Sequence, residues 1–157
     1  MNSKIPKLLE GDYETYFELA TSSIRKRYPK ILHNKGAYLN EVFNFVPKDS
    51  YMHPHLHPGK EKVEKMYLIK GSFALILFDE SGQISKKIIL EEGKLDFVEV
   101  PAFTWHTYVM LTERVVIYET MEGIYNPETW KKLASWAPKE SSDESEAYLK
   151  SIKNTLK

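Results

Sequence analysis

Cysteine is absent from this 157-residue chain. That excludes disulfides, thiolate zinc sites, iron–sulfur clusters and cysteine nucleophiles. An excess of one charge is also missing, since 22 basic residues balance 22 acidic ones. Nucleic acids and anionic membranes select basic surfaces, so neither is expected as a partner. Long apolar runs are lacking too. The longest, Phe73-Ala74-Leu75-Ile76-Leu77-Phe78, falls far short of the roughly 20 residues that a membrane-spanning helix needs. The first residues hold no apolar stretch of the secretory kind, so a soluble, cytoplasmic protein is expected. Hydrophobic residues still make up 42% of the chain, enough for a packed core and against general disorder.

The first periodic segment spans residues 12–28. Tyr13, Tyr16, Phe17, Ala20, Ile24 and Tyr28 recur at helical spacing, with Asp12 as N-cap and Pro29 as stop. Its charged residues Arg25, Lys26 and Arg27 read as a solvated helix end. From about residue 37 short strands follow one another: 38–46, 65–70, 72–78, 84–90, 96–100, 106–111 and 114–120. Gly and Pro stand at the joints, and Asp79-Glu80-Ser81-Gly82 makes a hairpin turn. This grammar predicts an antiparallel sandwich or barrel. Runs apolar on both faces, such as 73–78, suit strands inside a two-layer barrel or at a subunit interface. After Gly123 the strand pattern stops. A last helix is predicted to open on Ser141 and Glu144 as a capping box, with Tyr148, Leu149, Ile152 and Leu156 as its apolar stripe. The chain thus divides into a helical extension (1–36), a barrel (37–123) and a C-terminal extension with a surface helix (124–157), within one domain.

Histidine is scarce but clustered. Three of the five lie in His53-Pro54-His55-Leu56-His57, and His106 follows a later strand. Residues two apart on a strand share a face, so His55 and His57 can bind one ion together. A folded sheet would bring Glu64 and His106 to them. Three imidazoles and one carboxylate suit a first-row transition metal better than calcium or magnesium. His53 shares the parity but would stretch too far as a third ligand, and reads as pocket wall. His33 reads as pocket lining or as a structural hydrogen-bonding group. Tyr108 and Met110 share a face with His106 and read as cavity walls or core. Glu119 and Glu122 read as surface residues, with a role in orienting a ligand histidine as the alternative.

His55-x-His57, then Glu64, then Gly71 after a further strand resembles the first cupin motif, with a longer loop from Pro58 to Val63. Glu61 sits at the usual shorter spacing, but Glu64 keeps the spacing to Gly71. Pro101-Ala102-Phe103-Thr104-Trp105-His106 resembles the second motif, with Phe103 in place of its glycine and Met110 where many cupins have Asn. Leu32-His33, Asn44, Ser50-Tyr51, Pro54-His55-x-His57-Pro58, Thr104-Trp105-His106-Thr107, Glu122-Gly123-x-Tyr125-x-Pro127 and Trp136-Ala137-Pro138 extend the likeness. Over residues 25–138 the chain resembles the WbuC-type cupin-fold metalloproteins. Glu41 stands where that family often has Arg.

The resemblance implies a mainly β fold: a cupin double-stranded β-helix, or jelly-roll barrel, with peripheral N- and C-terminal helices. It implies one divalent transition metal per chain (Fe, Mn, Ni, Co or Zn) at His55, His57, Glu64 and His106. It implies basic residues near Arg25 and Arg27 for an anionic substrate, an association with polysaccharide biosynthesis, and a homodimer. Three functions stay open: a metal-dependent enzyme on a small oxygen-rich, sugar-like or carboxylate substrate; a non-catalytic small-molecule binding or sensing module; an iron(II)-dependent oxygenase. The sequence offers no obvious carboxylate as a general base.

Overall fold

Two five-stranded antiparallel sheets face each other in the computed structural model, which describes residues 5–157. The strands are β1 (Tyr28–Ile31), β2 (Leu39–Pro47), β3 (His55–Leu56), β4 (Glu64–Lys70), β5 (Ser72–Phe78), β6 (Ile84–Glu91), β7 (Phe97–Val100), β8 (His106–Met110), β9 (Arg114–Glu122) and β10 (Lys132–Leu133). The first sheet has the order β1-β2-β9-β4-β7 and the second β10-β3-β8-β5-β6. The fold is the cupin jelly roll, with helix α1 (Glu10–Ser22) and helix α2 (Ser145–Asn154) on its outside.

Alternation decides which side chains meet between the sheets. Val46, Met66, Leu68, Val115 and Ile117 from the first sheet pack on Phe73, Leu75, Leu90, Tyr108 and Met110 from the second. The outward apolar residues are covered as well. Phe17 and Ala20 of α1 lie on Phe43, Phe45, Val116 and Tyr118. Leu149 and Ile152 of α2 lie on Ala74, Ile76, Phe78 and Val109. Strands apolar on both faces are therefore buried by the chain's own helices.

The seven strands read from the sequence are present, and the Asp79–Gly82 turn joins β5 to β6. Three features differ. The first helix ends at Ser22, not residue 28, and Tyr28 and Pro29 belong to β1. Lys26 turns the chain with a φ of 53°. Because β1 is an edge strand paired only with β2, it tolerates a proline. Asp12 is not the N-cap but lies within the first turn, where its carboxylate accepts the Leu9 N–H at 3.0 Å. The last helix starts at Ser145 without a capping box. Ser141, with φ of 61°, instead belongs to a loop that carries Glu140 back to the N-terminal residues. The short strands β3 and β10, which the sequence pattern hides, pair with each other and complete the second sheet.

Gly71 sits between β4 and β5 with φ of +87°. A β-carbon there would lie 2.4 Å from the Arg114 carbonyl oxygen, so the position needs glycine for both conformation and space.

Candidate metal centre

Four elements deliver the predicted ligands to one end of the barrel. His55 opens β3 and pairs across to His106, which opens β8. His57 follows β3, and Glu64 opens β4 of the opposite sheet. One ligand atom from each of His55, His57, Glu64 and His106 lies within 4.8 Å of the other three, and all four residues are buried. Nε2 of His106 stands 3.0 Å from Glu64 Oε2, and Nε2 of His57 stands 3.3 Å from it.

The backbone sets the tautomers. Nδ1 of His55 meets the His53 carbonyl, Nδ1 of His57 the Trp130 carbonyl, and Nδ1 of His106 the Thr104 carbonyl, each at 2.9 Å. A carbonyl only accepts, so each Nδ1 is the N–H. Every neutral Nε2 then turns a lone pair inward, toward an acceptor-only carboxylate. A proton on one imidazole satisfies one of these contacts, whereas a cation in the middle satisfies all four. The donor set therefore fits a transition metal, with the main-chain carbonyls as the groups that orient its ligands. Burial, then the neighbouring His106 and His57, hold His55 well below its ordinary pKa, in the neutral form a ligand needs. Burial alone would raise the Glu64 carboxyl, but the His106 and His57 rings beside it outweigh that and hold Glu64 well below the usual range.

The long Pro58–Val63 loop supports the centre. Lys62 is buried, donates to the Thr129 carbonyl at 2.9 Å and lies 5.1 Å from the centre of the Trp130 ring. It thereby fastens the segment whose carbonyl orients His57. Glu61 is exposed. The motif glycine that Phe103 replaces is a matter of backbone conformation. Phe103 adopts a φ of 61°, and its N–H donates to the His57 carbonyl at 3.0 Å. The left-handed turn survives a bulky residue.

A cavity of about 340 Å³ opens beside the ligand group. Of the predicted pocket residues, Arg25, Arg27, His33 and Tyr108 line it. His53 does not: its Nε2 meets the Ala134 carbonyl at 2.7 Å, because the chain becomes a strand only at His55. Met110 does not either, since it lies deeper on β8 in the apolar core. Glu41 faces outward, where its Oε1 accepts the Tyr118 hydroxyl at 2.6 Å, so it brings no charge to the cavity. Glu122 is exposed, as expected.

Glu119 corrects the surface reading. It is buried, lines the cavity, and accepts the Asn44 amide at 2.5 Å through Oε2, while Oε1 has no partner. Burial, then the charge of Glu64, raise its carboxyl well above the usual range. Parity with Ile117 and Met121 on β9 marks it as inward. Asn44, part of the family likeness, receives no role in the site from the sequence, although it shares the inward parity of Val46. Two further residues escaped sequence reasoning. Lys131 and Glu140 lie in irregular segments without a pattern to read.

Residues 10–90 match a family described as a domain of unknown function, DUF6016. No curated protein matches the chain. Among solved structures it is similar to protein SO0799 from Shewanella oneidensis, with a TM-score of 0.61 and 11% identity over 81% of this chain and 85% of that one. It is also similar to an oxalate oxidase in complex with the substrate analogue glycolate (TM-score 0.56, 11% identity, 72% of this chain). The chain spans 57% of that oxidase's length. KdgF from Halomonas sp. matches with a TM-score of 0.50 and 20% identity, over 65% of this chain and 82% of that one. At such identities the likeness concerns the fold. Among the described residues no helix is long and apolar enough to cross a membrane.

Proposed function

The chain belongs to the DUF6016 family, and we propose that it is a metal-binding cupin that acts on a small oxygen-rich molecule, sugar-like or carboxylate. One observation carries the proposal. Three inward Nε2 lone pairs and one carboxylate converge in a buried group whose tautomers main-chain carbonyls set. His55, His57, Glu64 and His106 would hold one divalent first-row ion per chain. Such an ion, when bound, polarises a carbonyl or lowers the pKa of a water or hydroxyl.

The chain's own residues supply the rest. Apolar neighbours Val42, Met52 and Met121 line the cavity and limit water around the centre. Glu119 is the cavity-lining carboxyl that belongs to neither the ligand group nor an ion pair. Its partnerless Oε1 is available to give or take a proton, which favours an enzyme over a passive holder. The likeness of residues 25–138 to the WbuC-type cupins supports a sugar-like substrate.

Metal content of untagged protein, measured by mass spectrometry beside His106→Ala, tests the proposal. About one ion per chain in the wild type, lost in the variant, is the expected result. No ion after supplementation with iron, manganese, cobalt, nickel and zinc would overturn it. Iron in the wild type would direct turnover assays to dioxygen consumption. Zinc, manganese or nickel would direct them to isomerase, lyase and hydrolytic chemistry.

A further inference from the structure

One wall of the cavity carries unbalanced positive charge. Arg25, Arg27 and Lys131 line it beside His55, His57 and Glu64. Arg27 is only 6% exposed and is pinned from behind. Its Nη2 meets Glu140 Oε1 at 2.6 Å, and its Nη1 donates to the Tyr51 carbonyl at 3.3 Å. Arg25 shares the same carboxylate, Nε to Oε2 at 2.9 Å. One carboxylate therefore serves two guanidiniums. Burial would raise Glu140, but Arg25 and Arg27 hold it down at about 2, so it stays ionised.

Lys131 has no ion-pair partner among the described residues. Desolvation and the two arginines lower its pKa, although the residue as a whole is exposed at the cavity's mouth. Three cations against one carboxylate leave two positive charges on this wall. Glu64 offsets a divalent ion only in part. His33 adds a polar ring to the lining, its Nδ1 2.9 Å from the Glu41 nitrogen and 3.1 Å from the Glu41 carbonyl oxygen. The wall is rich in donors and poor in acceptors.

Gathering like charges around a concave surface costs free energy that an anionic ligand returns. A guanidinium already fixed by its neighbours loses little entropy on binding an anion. The cavity volume lies at the small end of ligand pockets, which run from roughly 300 to 1,000 Å³. It limits the ligand to about the size of a monosaccharide.

We infer that the cavity takes a small oxyacid, whose carboxylate or phosphate sits against Arg27 and Lys131 while its other oxygens face the His55, His57, Glu64 and His106 group. The inference rests on the metal-binding reading and adds the ligand's charge to it. Arg25 and Arg27 have a second task, since Glu140 joins them to the loop before α2. Lys131 has no such task, and it is the residue that separates anion binding from scaffolding.

The test is calorimetric titration of zinc-loaded protein with three probes of matched size: D-glucuronate, D-glucose 6-phosphate and D-glucose. At least one acid should bind ten times more tightly than glucose, and the tighter acid identifies carboxylate or phosphate as the recognised group. Lys131→Gln should weaken that acid about tenfold with metal content unchanged, and Lys131→Arg should restore most of the loss. Equal binding of acids and glucose, or full acid binding by Lys131→Gln, would overturn the inference. Metal content of the same samples keeps the two readings apart. Acid binding that depends on Lys131 in a protein without metal would sink the metal centre and leave the anion wall standing. A loaded centre with no preference for acids would do the reverse.

Discussion

The two ends of this barrel use the same strands for opposite purposes. At the closed end β2 contributes Val46, β4 Met66 and Leu68, β8 Met110, and β9 Val115 and Ile117. One inward step further, the same strands present Asn44, Glu64, His106 and Glu119. All are buried, so exposure does not distinguish the ends. What differs is the partner. The apolar end stabilises the fold by removing hydrocarbon from water. The polar end holds an ionisable cluster whose burial costs free energy unless a cation or a ligand completes it. A strand keeps its register across both, so a rigid dry floor sets the positions of the groups above it.

Ile117 and Glu119 test this contrast most sharply, because they are inward neighbours on one strand. Ile117→Ala should cost about 3–4 kcal/mol, the usual range for emptying a fully buried aliphatic site. Denaturant unfolding would measure it, and metal content per folded chain should not change. A cost under about 1 kcal/mol would mean that the closed end is not where stability resides.

Two carboxyls of the open end should respond to pH with opposite signs. Glu140 has a folded pKa of about 2, against 4.5 for the free group, since the arginines outweigh its burial. Its contribution is present above about pH 4.5 and is lost as pH falls toward about 2. Arg25 is 48% exposed, so solvent screens part of the effect and about 2 kcal/mol remains. Glu140→Gln should remove that amount at pH 7 and flatten the acid limb of the stability curve. Glu119 has a raised folded pKa, from burial and from Glu64. Its contribution is present below the ordinary carboxylate range and is lost as pH rises. Glu119→Gln, studied in chelator-treated protein, should gain on the wild type as pH rises, by less than the Glu140 effect. Parallel curves for Glu119→Gln and wild type would contradict the raised carboxyl.

The ligand group was legible because its information is local: two histidines two apart, and two motifs on strands that alternation reveals. Strand alternation made an antiparallel sandwich or barrel legible, and the family resemblance narrowed it to the jelly roll. Glu119 was half legible. Its parity with Ile117 points inward, but a carboxylate near a strand's end looks like surface until the opposite sheet is placed over it. Arg25 and Arg27 were visible, whereas Glu140, 113 residues from Arg27, carries no local signal. The first helix was overextended because Ile24 and Tyr28 continue its period. Ile24 is in fact 84% exposed, and Tyr28 is drawn into β1 by pairing with Phe45. Periodicity cannot report such a tertiary contact.

The smallest expected effect concerns the turn that leads into His106. Phe103 holds a φ of 61° that glycine adopts freely, and its side chain is largely exposed. The left-handed conformation costs a residue with a β-carbon roughly 1–2 kcal/mol, and glycine's extra chain entropy takes back about half of that. Phe103→Gly should therefore raise stability by about 0.5–1 kcal/mol, or about 1–3 °C in Tm for a chain of this size. Because the Phe103 N–H already donates to the His57 carbonyl, the turn keeps its geometry and metal content should hold. A fall in Tm would show that the ring packs on a surface at the cavity's mouth, and the polar end would then owe part of its stability to apolar contact after all.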